Sequence, residues 1–161
     1  MRRNIAVVGA VVVLVGAISV VAWAAKPQAD LAKLKAPVTF TVIEHATTDV
    51  GIDSDGSGSD TTGDLLTWHN RVFGPANKYV VGHDQGDCIR IDPAAGSWEC
   101  RWITWVPGGA LTVEGPFYDT HDNALAITGG LGRYRNAEGT MLLKARKGGA
   151  EYAFIFRVIP G

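Results

Sequence analysis

The stretch Cys88-Ile89-Arg90-Ile91-Asp92-Pro93-Ala94-Ala95-Gly96-Ser97-Trp98-Glu99-Cys100-Arg101-Trp102 reads as two strands around a turn. Proline presets φ, aspartate can accept from backbone N–H groups just ahead of it, and glycine tolerates the left-handed conformation, so Asp92 to Gly96 is the turn. Antiparallel pairing about Ala94 then places Cys88 directly opposite Cys100 and Arg90 opposite Trp98, with all four side chains on one face. The competing reading is two buried free thiols. An export signal at the N-terminus favours the disulfide, and closing so short a loop contributes about 3 kcal/mol on the chain-entropy estimate.

Working outward, the same period of two recurs along the chain. Val38 to Val42 alternates cleanly, and Asp64 to Phe73 sets Leu66, Trp68, Asn70 and Val72 against Leu65, Thr67, His69 and Arg71. Further runs lie at 78–84, 87–91, 98–106, 110–117, 124–128, 140–146 and 151–159, separated by Gly74-Pro75-Ala76-Asn77, Pro107-Gly108-Gly109 and Lys147-Gly148-Gly149. No segment sustains a 3.6 period. About eight short strands joined by tight turns indicate an all-β antiparallel sandwich or barrel.

Residues 1–25 carry a different message: Arg2 and Arg3, an apolar run from Ile5 to Val21, then Ala22-Trp23-Ala24-Ala25. This is a signal peptide with an Ala-x-Ala exit or, because the run is long, an uncleaved membrane anchor through residues 5–25. Both readings put the domain outside the cytoplasm, secreted or membrane-anchored. Residues 26–37 are a polar leader and 38–161 the folded domain. The 161-residue chain has 47% apolar residues and a net charge of −1, which fits one domain with a real core. It lacks the basic footprint of a nucleic-acid partner.

Catalytic signatures of the common kinds are missing: no G-x-S-x-G, no H-E-x-x-H, no Walker loop. His45, His69, His83 and His121 lack metal-ligand spacing. Asp53-Ser54-Asp55-Gly56-Ser57-Gly58-Ser59-Asp60 resembles a calcium loop, but its twelfth position is Asp64 instead of glutamate, and no helices flank it, so a solvated loop is expected and no metal. Glu44 is more informative. It shares strand parity with Val38, Phe40 and Val42, and Asn70 shares it with Leu66, Trp68 and Val72. An inward carboxylate and amide need a partner, a water or a ligand, unless they sit at a solvated barrel end.

The ordered set Gly63-Asp64-Leu65-Leu66-Thr67-Trp68-His69-Asn70, Val81-Gly82 with Gly86 and Cys88, Leu111-Thr112-Val113-Glu114-Gly115-Pro116-Phe117, and Ala126-Ile127-Thr128-Gly129-Gly130-Leu131-Gly132-Arg133-Tyr134 resembles the allene oxide cyclases. The last stretch, with Asn136-Ala137-Glu138-Gly139, is also similar to the dirigent proteins of the same superfamily. The resemblance spans residues 39–159. It implies an eight-stranded antiparallel β-barrel around an apolar cavity, a hydrophobic small-molecule ligand, ring closure without a cofactor, and a homo-oligomer, a trimer in the cyclases. Glu44 would match the glutamate that promotes ring opening and Asn70 an asparagine that holds a water. Cys88 would match a pocket cysteine. Departures are Ala46 at a second asparagine position, Phe117 for a pocket tyrosine, and Arg90 where the cyclases carry an apolar residue. Expected ligand-binding residues are therefore Trp68, Cys88, Arg90, Trp98 and Phe117, with Glu44 and Asn70 catalytic. Arg90 could instead stack on Trp98 or pair with a carboxylate. The alternative function is a non-catalytic, dirigent-like or ligand-carrying barrel. On the outward parity, Ile89, Ile91, Ile103 and Trp105 form an apolar patch suited to a subunit interface.

Overall fold

The computed structural model describes residues 36–159 and 161; the signal-or-anchor segment 1–25 and leader residues 26–35 lie outside them. Nine strands follow in chain order: β1 (Val38–His45), β2 (Val50–Ile52), β3 (Leu65–Phe73), β4 (Val80–Asp92), β5 (Ser97–Val106), β6 (Gly109–Tyr118), β7 (Asn123–Gly132), β8 (Glu138–Arg146) and β9 (Glu151–Ile159). A 3-10 turn at Lys147–Gly149 joins the last two. All pairs are antiparallel, in the order β1-β9-β8-β7-β6-β5-β4-β3, and β3 returns to β1. That return closes an eight-stranded barrel, which leaves no open edge along the ring. β2 is a three-residue exposed strand on the flank of β3. Its exposure is why no hydrophobic alternation announced it.

The hairpin about Ala94 has the expected register: Cys88 faces Cys100 and Arg90 faces Trp98, with a bulge before Asp92. Asp92 Oδ1 accepts from the N–H groups of Ala94 and Ala95, which fixes the turn. Cys88 and Cys100 are disulfide-bonded, with their Cα atoms 4.0 Å apart. Such a bond fits an oxidising compartment.

Inside, the barrel divides its contents. Leu111, Leu125, Met141, Phe156 and Val158 are essentially inaccessible and fill one part, with Phe40 stacked on Phe156 at 5.1 Å. Elsewhere the interior is only partly filled. Gly86 faces Trp102 on β5 and Trp68 on β3, and the two indoles meet edge to face at 5.7 Å. A Cβ on Gly86 would lie 2.3 Å from the Trp102 Cβ, so only glycine lets the tryptophan crowd in.

Candidate active site

Glu44 ends the inward row of β1. It is 4% exposed and lies in register with Val72 on one side and Tyr152 on the other. It lines a small cavity of about 40 Å³ that widens to about 380 Å³ of unfilled space once the solvent at its mouth is counted. The walls are Leu66, Trp68, Trp102, Phe117, Leu143 and Phe154, with the Cys88–Cys100 bridge as part of the lining. Three polar groups stand against them: Glu44, Asp49 and Tyr152. Most of a small ligand would meet aromatic and aliphatic surface there, with carboxyl groups gathered at one place.

Asn70, also on an inward position, explains how those carboxyls are gathered. Its Nδ2 donates to Glu44 Oε1 and to Asp49 Oδ1, each at 2.6 Å. Its Oδ1 accepts from the N–H groups of Thr47 and Thr48, at 3.0 and 2.9 Å, and from the Thr48 hydroxyl at 2.9 Å. The two donors and the acceptor oxygen of the amide are thus all engaged. Asn70 ties the β1–β2 loop to the barrel wall and holds two carboxyl groups side by side. The expected water-holding N–H is committed to those carboxyls.

A third carboxyl lies behind them. Asp84 on β4 is directly opposite Asn70 on β3 and Thr104 on β5, and it has no exposure at all. The Trp68 indole N–H donates to Asp84 Oδ2 at 3.3 Å. Asp84 Oδ1, the Thr104 hydroxyl and the Trp102 indole N–H are buried without hydrogen-bond partners. Among the described residues, no Lys, Arg or His forms an ion pair with Glu44, Asp49 or Asp84.

Electrostatics follow from that isolation. Burial holds the Glu44 carboxyl well above the usual range, the charge of Asp84 raises it further, the Asn70 bond pulls the other way, and Asp49 adds to the rise. Burial pushes Asp84 up to about 7 against the Trp68 hydrogen bond. Tyr152 is raised by burial and then by the charge of Glu44. Burial without a cation favours the neutral forms of Glu44 and Asp84.

The remaining expected residues are distributed as follows. Trp68, Cys88 and Phe117 line the cavity; Arg90 and Trp98 do not. The Arg90 guanidinium is stacked 3.8 Å above the Trp98 ring. Its Nε and one terminal nitrogen donate to Asp60 at 2.8 Å and Asp119 at 2.7 Å, while Trp98 Nε1 donates to the other Asp119 oxygen at 2.9 Å. Two carboxylates already occupy the fork that a ligand carboxylate would need. Sequence reasoning missed Asp49, Asp84 and Tyr152. For Asp84 a signal existed, since it shares strand parity with Cys88 and Arg90.

The acidic loop behaves as a self-contained turn. Asp53, Asp55 and Asp64 bring carboxylate oxygens within 4.8 Å of one another. Those oxygens accept from the loop's own N–H groups, at Gly56 and Gly58 for Asp53, Ser57 for Asp55, and Ser54 and Thr61 for Asp64.

No family model matches the chain, and neither does any curated protein. Solved structures do match. The chain is similar to pyocyanin demethylase, with 22% identity and a TM-score of 0.62 over 74% of this chain and all of that one. It is similar to the pterocarpan synthase dirigent protein GePTS1, with 13% identity and a TM-score of 0.66 over 78% of this chain and 85% of that one. It is also similar to AbnU, an exo-specific intermolecular Diels-Alderase, with 11% identity and a TM-score of 0.61 over 77% and 98%. At these identities the likeness is one of fold: an antiparallel barrel found in dirigent proteins and in cyclase and cycloaddition enzymes.

Proposed function

We propose that the protein is a cofactor-independent isomerase or cyclase that guides ring closure of an apolar small molecule inside the barrel, in the manner of the allene oxide cyclases. One observation carries this reading: a buried carboxyl, Glu44, whose burial raises its hold on a proton, faces an aromatic-lined cavity and is held in place by Asn70. Confining a flexible conjugated ligand in a folded shape removes much of the entropic barrier to cyclisation. Glu44, as an acid, lends its proton to a ligand oxygen as charge develops, and the proton returns when the new ring bond has formed, so the reaction is balanced as an isomerisation. Asn70 serves as a positioning residue, and Trp68, Phe117 and the disulfide shape the wall. On the outer face of β4 and β5, Ile89 and Ile91 at one end and Ile103 and Trp105 at the other, with the Asp87–Arg101 ion pair between them, serve as the subunit interface of a homo-oligomer outside the cytoplasm, secreted or anchored.

The test begins with mass spectrometry of whatever copurifies with the domain expressed with its disulfide intact. The identified ligand, or its open-chain precursor, is then offered to the parent and to Glu44→Gln. Loss of conversion with binding retained supports the cyclase. Equal conversion in both proteins overturns Glu44 as the acid and leaves the second reading, a dirigent-like barrel that only orients a species activated elsewhere. That reading is favoured by the commitment of both Asn70 donors to protein groups.

A further inference from the structure

Asp84 does not line the cavity, yet it is a fully buried acid one strand from the carboxyls that do. It lies opposite Asn70, the residue that grips Glu44 and Asp49, and opposite the partnerless Thr104 hydroxyl. Trp68, the cavity wall between them, donates its indole N–H to one Asp84 oxygen, while the other oxygen has no partner. A structural carboxylate of this burial would be expected to bond through both oxygens or to meet a cation. Asp84 does neither. The groups facing this cluster are Asp49 from the β1–β2 loop, Asn70 and Trp68 from β3, Thr104 from β5 and Tyr152 from β9. None of them is a cation.

We propose that Asp84 is a positioning residue for Glu44: sealed under Trp68, its charge decides whether Glu44 presents a proton or a negative charge to the cavity. Two like charges buried on the strands either side of β3, with no cation beside them, are unfavourable together, so the pair shares protons and titrates as a unit. The raised affinities of both groups for protons agree with this arrangement. The inference rests on Glu44 acting as an acid, but its test needs no ligand.

Carboxyl-carbon NMR of protein labelled at Asp and Glu, with Glu44→Gln and Asp84→Asn used for assignment, follows each group against pH. In the parent, the Glu44 and Asp84 resonances should each report the same two steps. Independent single-step curves overturn the proposal. In Asp84→Asn, whose amide keeps an acceptor for Trp68, the Glu44 midpoint should fall by more than about half a pH unit, equivalent to about a threefold loss of proton affinity or more. A smaller or upward change overturns it. If the variant fails to fold, the two-step titration of the parent still decides. Where a reaction has been found, the alkaline limb of its pH profile should move down with the midpoint in Asp84→Asn. Shared titration in a barrel without activity would sink the functional reading alone.

Discussion

Replacing Asp84 with asparagine should change the slope of stability against pH. Asp84 has an ordinary value of 3.8, and the fold raises it to about 7. The folded state therefore binds the proton more tightly than the unfolded chain, and stability must fall as pH rises between those two values. Below pH 3.8 the acid is neutral in both states and costs nothing. Above about pH 7 the full penalty applies: roughly three pH units at 1.36 kcal/mol each, or about 4 kcal/mol as a ceiling. Asparagine has the same shape, stays neutral and accepts from Trp68. Glu44 pushes the parent in the same direction, and removing Asp84 relieves part of that as well. Asp64 and Glu151 are lowered by their hydrogen bonds, so they act in the opposite sense, but they titrate below this window and equally in both proteins. Urea unfolding followed by tryptophan fluorescence at pH 5 and pH 8, with the disulfide intact, measures the difference. Asp84→Asn should gain on the parent by about 2–4 kcal/mol between the two pH values. If the two proteins keep a constant separation, Asp84 is not a buried acid of raised affinity and the electrostatic account of the site fails.

Three further outcomes are expected. Non-reducing peptide mapping should find Cys88 joined to Cys100, and the Cys88→Ser/Cys100→Ser variant should lose about 3 kcal/mol in denaturant unfolding, from the entropy of the opened hairpin. Arg90→Lys should keep the charge but lose the fork that reaches Asp60 and Asp119 and the flat stack on Trp98, costing about 1–2 kcal/mol in the same assay because both aspartates are half exposed. Ligand affinity should be unchanged in that variant; a large loss would return Arg90 to the binding site. Light scattering at micromolar concentration should give an oligomer mass, and Ile89→Lys, at a position 45% exposed in the single chain, should lower it. A parent monomer removes the interface.

Local chemistry made the central hairpin readable. The turn residues Asp92 to Gly96 fix the loop, the loop fixes the register, and both Cys88–Cys100 and Arg90–Trp98 follow from symmetry about it. Strand parity likewise turned Glu44 and Asn70 inward, and both are buried. Parity would have turned Asp84 inward as well, but the sequence reading missed it: counting back from Cys88 crosses Gly86, whose meaning lies in the tryptophans on its two neighbouring strands.

What the sequence determined by itself is therefore what depends on near neighbours: all-β character, the hairpin register, the disulfide, and which side chains turn toward the interior. A period of two and a five-residue turn are enough for that, because side-chain direction in a strand is set by the backbone within a few residues. The tertiary structure alone decided the rest. Alternation is the same for a sandwich and a barrel; the three register pairs from Ile43–Phe73 to His45–Arg71 close the ring. Asp49 comes from a loop with no periodicity and reaches Glu44 only because Asn70, 21 residues further on, donates to both. The role of Asn70 was decided there as well, since which acceptors meet an amide depends on strands brought together from across the chain. The proton affinities of Glu44 and Asp84 belong to the same level: they arise from burial and from each other, and neither exists until the barrel is closed.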